Sequence, residues 1–133
     1  MIVTPLYAGL LGLWFLVLSL RVIQRRRNRD GITLGDGGDP RMLRLIRGHG
    51  NFAEYVPLIL LLIALLELGH TSTYVLHGLG IVLLVGRLLH GFALSFTARF
   101  RFGRFWGAAL TLFVLVVAAV LCVLQGLRGM ALT

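Results

Sequence analysis

Cysteine is nearly absent from this chain of 133 residues: Cys122 stands alone. A single thiol excludes a disulfide framework within the chain and leaves no cysteine spacing for a metal. Inside its apolar run it reads as a small buried hydrophobe. Acidic residues are scarce, five against thirteen basic ones for a formal charge of +8, and every basic residue is arginine. No acidic residue precedes Asp30, so a first helix lacks the intramembrane carboxylate that proton-coupled export would need. Charged residues make up 14% of the chain and hydrophobic ones 58%, with mean hydropathy +0.91, too apolar for an ordinary soluble domain of this size. The shortage of polar surface also argues against nucleic acid, which calls for an extended basic face. No strand-like alternation marks a transmembrane barrel, and no internal repeat is visible. No basic stretch precedes the first apolar run and no small-residue cleavage site follows it, so that run is expected to be a retained first helix.

What the chain does have is apolar length. Pro5 to Gln24, Asn51 to Leu68, Tyr74 to Phe96 and Phe105 to Gln125 each approach or reach the roughly 20 residues that cross a hydrocarbon core. Helices are the form in which such segments satisfy their own backbone in lipid. The expectation is an all-α integral membrane four-helix bundle, a single domain over residues 1–133, with helices at about 5–25, 41–68, 73–98 and 104–126. Pro5 suits a helix start. Pro57 falls inside the second helix, where it removes a donor and frees the carbonyl of Ala53, so a kink is expected there.

The connections differ in charge. Arg25, Arg26, Arg27, Arg29, Arg41, Arg44 and Arg47 surround the first, and Arg99, Arg101 and Arg104 the third. The second, Gly69 to Thr73, has none, and the C-terminal tail has only Arg128. The positive-inside rule then puts the first and third connections in the cytoplasm and both termini on the other side. Gly31 to Pro40 reads as a flexible Gly/Asp loop, with a helix starting at about Arg41. Its glycines are no nucleotide fingerprint, since no strand precedes them.

Polar groups are expensive near hydrocarbon, and the mouth of the second segment carries several: Arg-Gly-His-Gly-Asn-Phe-Ala-Glu-Tyr-Val-Pro, from Arg47 to Pro57. On a helix Arg47, Asn51, Glu54 and Tyr55 fall at i, i+4, i+7 and i+8, on one face. They offer a guanidinium fork, an amide, a carboxylate and a phenol, the complement of a zwitterionic, peptide-like molecule. The plainer alternative pairs Glu54 with Arg47 or another arginine and makes the cluster a helix anchor. In the third segment Arg87 and His90 lie at i and i+3, and should face protein or a water-filled cavity. Glu54 is the natural ion-pair partner of Arg87. Arg101 shares the face of Arg87 if that helix continues through the basic stretch. Arg99 and Arg104, alternating with Phe100, Phe102 and Phe105, read as a belt at the membrane interface. His70 and His77 lie towards the opposite side.

The pattern Arg-x-x-x-Asn-x-x-Glu-Tyr-x-Pro, made by Arg47, Asn51, Glu54, Tyr55 and Pro57 at the opening of the second of four helices, resembles the MAPEG family. That family comprises the membrane-associated proteins in eicosanoid and glutathione metabolism, including microsomal glutathione transferases and leukotriene C4 synthase. The chain is similar to a bacterial-type member over nearly its whole length. The resemblance implies a homotrimer in the inner membrane, with glutathione as co-substrate bound between subunits near the cytoplasmic face. It implies that Arg47, Asn51, Glu54 and Tyr55 hold the γ-glutamyl end, and that Arg26 meets the glycine carboxylate from a neighbouring subunit. Arg87 and His90 are read as completing the binding set, with a structural ion pair between the second and third helices as the alternative for Arg87, and the resemblance implies that Arg101 is the catalytic residue that faces the thiol. His90 and Leu94 stand where leukotriene-type members carry tyrosines, and His49 where a polar contact to the glycine carboxylate is expected.

The implied reaction is a glutathione-dependent transfer or peroxide reduction on lipophilic electrophiles that reach the site from the surrounding membrane lipids. A free thiol has a pKa of about 8.5, and an adjacent guanidinium favours the thiolate, the reactive form. The alternative is a non-catalytic protein of the same fold that binds a lipid headgroup or another anionic metabolite.

Overall fold

The computed structural model describes residues 2–27, 32–97 and 99–131. Arg29 of the basic first connection, Gly31 at the start of the Gly/Asp loop, and Ala98 lie outside the described residues. The chain forms four helices: α1 (Val3–Arg27), α2 (Pro40–Leu68), α3 (Thr73–Ser95) and α4 (Arg101–Met130). Each is long and apolar enough to cross a membrane, and the protein is an all-α integral membrane bundle. At 1.5 Å per residue even α3, with 23 residues, spans about 35 Å, more than the roughly 30 Å of a hydrocarbon core.

α3 packs against all three other helices and most extensively against α4, while α1 and α4 do not touch among the described residues. The seam is legible on α2. Phe52, Val56, Ile59, Ile63 and Leu66 alternate spacings of four and three residues, and none is more than 5% exposed. Leu11 and Leu18 of α1, Leu83 of α3, and Val114 and Ala118 of α4 close the core with them. The outward side chains are apolar as well: Leu13, Leu61, Phe113 and Val116 are more than half exposed, as suits contact with lipid.

Lipid gives little hydrophobic drive between helices, so close packing and interhelical hydrogen bonds must hold them. Gly107 of α4 lets its helix close on α3, since a Cβ there would meet the backbone nitrogen and Cβ of His90 at 2.6 Å and the Gly86 carbonyl oxygen at 2.7 Å. At one end of the bundle the Glu67 carboxylate accepts from the backbone N–H groups of Ile2, Val3 and Thr4, the latter two at 2.8 Å, and so caps α1 from α2. Gln125 donates to the Leu65 carbonyl and the Tyr7 hydroxyl pairs with His77 Nδ1 at that same end. At the other end Trp14 Nε1 donates to the Arg87 carbonyl at 3.0 Å, and Arg21 donates to the Ser95 carbonyl at 2.8 Å.

The helix limits differ from the sequence expectation at the third connection. α3 stops at Ser95, and α4 starts at Arg101. The stretch between contains neither glycine nor proline, so tertiary contacts set the break. Phe96 stacks on Phe92 and Trp14. Phe100 lies over Gly103, where its ring fills the space a Cβ would take. The third helix therefore does not continue to Arg101.

Candidate functional site

α2 opens on a built N-terminus. The Asp39 side chain accepts from the Arg41 backbone N–H at 3.1 Å, Pro40 follows as the first helical residue, and Arg25 of α1 holds the same carboxylate at 2.7 Å. The helix then runs unbroken through Pro57 to Leu68, which puts Arg47 to Tyr55 in one helical register.

Arg47, Asn51 and Glu54 border one polar cavity of about 230 Å³, closed on the other side by His90 and Leu94 of α3 and Arg104 of α4. Beside it a wider apolar groove of about 620 Å³ runs along α4, lined by Phe105, Ala108 and Leu112 with Arg101 at its charged end. His90 and Arg104 border both spaces. Tyr55 lines a third, small cavity of about 50 Å³ with Thr111 and Leu112, and Asn51 is the wall it shares with the polar one. One face of α2 thus serves two adjoining spaces.

Arg87 is 1% exposed. Its Nη1 and Nη2 both donate to Asn51 Oδ1, each at 3.0 Å, and its guanidinium lies 5.9 Å from the centre of the Phe52 ring. The expected ion pair with Glu54 is not formed. Asn51 is half-buried and its amide meets Arg87, whereas Glu54 is exposed. With Oδ1 occupied, the Asn51 amide has its two N–H donors left to offer a ligand. Nor does Glu54 pair with Arg47: among the described residues the one ion pair found is Arg25 with Asp39. The polar cavity therefore carries a carboxylate and guanidinium groups that are not neutralising one another.

The two sequence-predicted arginines on the remaining elements lie apart from this cavity. Arg101, on the first turn of α4, borders the groove and not the polar cavity, because the break after Ser95 removes it from the register of Arg87. Arg26, near the end of α1, donates to the Gly35 carbonyl at 3.2 Å. His49 stacks on Phe15 with ring centres 4.6 Å apart, away from the polar cavity. Arg104, assigned from sequence to the interfacial belt, is the α4 arginine in the polar cavity. Three residues after Arg101 on the same helix, it follows from the helix start rather than from any motif. Chemically, the arrangement can take an anionic group against Arg47, Arg104 and the Asn51 amide, an ammonium against Glu54, and an apolar body along α4.

A sequence model of the MAPEG family matches residues 4–124. The chain is 40% identical over 88 residues to Inner membrane protein YecN of Escherichia coli strain K12, and equally to its counterpart in Escherichia coli O6:H1. Each alignment covers 66% of this chain and 66% of the relative, just under two thirds of either. With all four helices inside or overlapping the matched span, the chain belongs to the MAPEG family.

Proposed function

We propose that the protein is a glutathione-dependent membrane transferase or peroxidase acting on lipophilic electrophiles. One observation carries the reading: Arg47, Asn51, Glu54, His90 and Arg104, from three helices, border one polar cavity that opens beside an apolar groove. A γ-glutamyl group carries an ammonium and a carboxylate on one carbon, and Glu54 opposite Arg47 and the Asn51 donors matches both charges. The thiol then lies towards α4, where Arg104 and Arg101 favour the thiolate. Each pKa unit of depression corresponds to about 1.4 kcal/mol of preference for the charged form. The second substrate, already dissolved in the bilayer, approaches along the groove.

Glutathione is held between subunits of a homotrimer in this reading. Arg26 lies on the outer turn of α1 away from its own chain's polar cavity, and in an assembly it meets the glycine carboxylate in a neighbour's site. The excess of arginine around the first and third connections supports a cytoplasmic site with both termini on the opposite side of an inner membrane. The name of the Escherichia coli relative supports the same membrane.

Calorimetry of the detergent-purified protein with glutathione tests the reading. Saturable binding that weakens at least tenfold in Arg47→Ala and in Glu54→Gln, a change of about 1.4 kcal/mol each, is the expected result. A wild-type protein that takes up no glutathione contradicts it.

A further inference from the structure

His90 is 6% exposed, and its Nδ1 is buried with no hydrogen-bond partner among the described residues. Such an atom carries an uncompensated desolvation cost, and buried polar groups left unpaired are the exception. Its position is specific: His90 and Arg104 are the residues common to the polar cavity and the apolar groove. Gly107 keeps it there, because α4 closes directly on the His90 backbone where any Cβ would intrude.

The charged groups around it come from every neighbouring helix. Arg47 and Glu54 of α2 and Arg101 and Arg104 of α4 border the same spaces. Arg87, one turn back on α3, is committed to Asn51, and Arg21 of α1 to the Ser95 carbonyl. Arginine does not give up its proton in proteins. Glu54 borders the polar cavity and not the groove. Imidazole is therefore the one group bordering both spaces that can accept and return a proton. Leu94, one turn further on the cavity wall, offers no hydroxyl to share the task.

We propose that His90 is the proton carrier between the two spaces, a role that rests on the thiol chemistry proposed above. The imidazole accepts the thiol proton as the thiolate forms. With an epoxide as the electrophile, sulfur then bonds to a ring carbon while that carbon–oxygen bond opens, its electron pair stays on oxygen, and the imidazolium returns the proton to that alkoxide. The ring ends neutral, and no further reactant is consumed.

Two probe electrophiles separate this role from binding or packing. An aryl epoxide needs a proton on its opened oxygen; 1-chloro-2,4-dinitrobenzene expels chloride, which needs none. At pH 7 and saturating glutathione His90→Gln removes the acceptor of the thiol proton for both electrophiles and the proton donor for the epoxide alone, so epoxide opening should fall by about 100-fold more than the chloroarene rate, the usual range for a general acid. Wild-type epoxide opening, but not the chloroarene reaction, should also slow in D2O, a readout that holds even if the variant folds poorly. Equal losses with both electrophiles, no loss with either, or no selective slowing in D2O overturns the role. A wild-type protein that binds no glutathione overturns the transferase reading, and this role with it; retained binding without the substrate difference overturns the role alone.

Discussion

Arg87 of α3 and Asn51 of α2 are joined by two hydrogen bonds from one guanidinium to one amide oxygen, each 3.0 Å. A buried charge is thereby spent on a neutral partner. Within a membrane segment this is a costly arrangement, and its effect is to hold the Asn51 amide with its donors free at the wall of the polar cavity.

Replacing Asn51 separates the structural half of this pairing from the binding half. Asn51→Ala strips the Arg87 guanidinium of its acceptor and should cost about 1–3 kcal/mol of stability, read as a lower thermal midpoint in detergent. Asn51→Asp should keep Arg87 paired and the fold intact, yet weaken glutathione binding about tenfold or more by facing a carboxylate with a carboxylate. Equal thermal losses in both variants would contradict the assignment.

Gly107 predicts a contrast within one helix. Gly107→Ala puts a methyl 2.6 Å from the His90 backbone nitrogen and should destabilise the bundle by about 1–3 kcal/mol, with loss of activity as α4 and its arginines shift. Gly126→Ala, where nothing lies within 4 Å, should leave both unchanged. Thermal unfolding of the two variants side by side checks this.

Glu67 predicts stability without function. It lies 13 residues beyond Glu54 along α2, about 20 Å away, and caps α1 at the far end of the bundle. Glu67→Ala should lower the thermal midpoint and leave glutathione affinity as it was. A change in affinity at an unchanged midpoint would overturn the separation.

Arg26 predicts complementation. If it serves a neighbouring subunit's site, Arg26→Ser and Arg47→Ser chains, each inactive alone, should recover activity when co-expressed, because mixed assemblies contain sites with both residues intact. Co-purification through two different tags, followed by an activity assay, reads this out. No recovery in mixed assemblies would place Arg26 outside the site.

The periodicity of α2 made most of this visible in the sequence. Four-three spacing predicted the face that brings Arg47, Asn51 and Glu54 to one cavity, and hydropathy alone marked four spans. Tyr55 lies at the edge of that face, one step past Asn51, which is why it lines the adjoining cavity instead. The break between Ser95 and Arg101 was not legible, since it comes from Phe96 and Phe100 packing on Trp14, Phe92 and Gly103 rather than from a local breaker. Carrying the helical register across it drew attention to Arg101 and away from Arg104. Pairing by opposite charge likewise chose Glu54 for Arg87, although burial decides in favour of Asn51.

The central claim is that this cavity binds glutathione and holds its sulfur as thiolate. The ultraviolet thiolate absorbance on mixing the protein with glutathione at pH 7, compared with S-methylglutathione, tests it most directly. The account predicts binding of both compounds, with the thiolate band from glutathione alone and the band lost in Arg104→Ala. Binding of glutathione without a thiolate band, or the same absorbance change with the methylated compound, would contradict it.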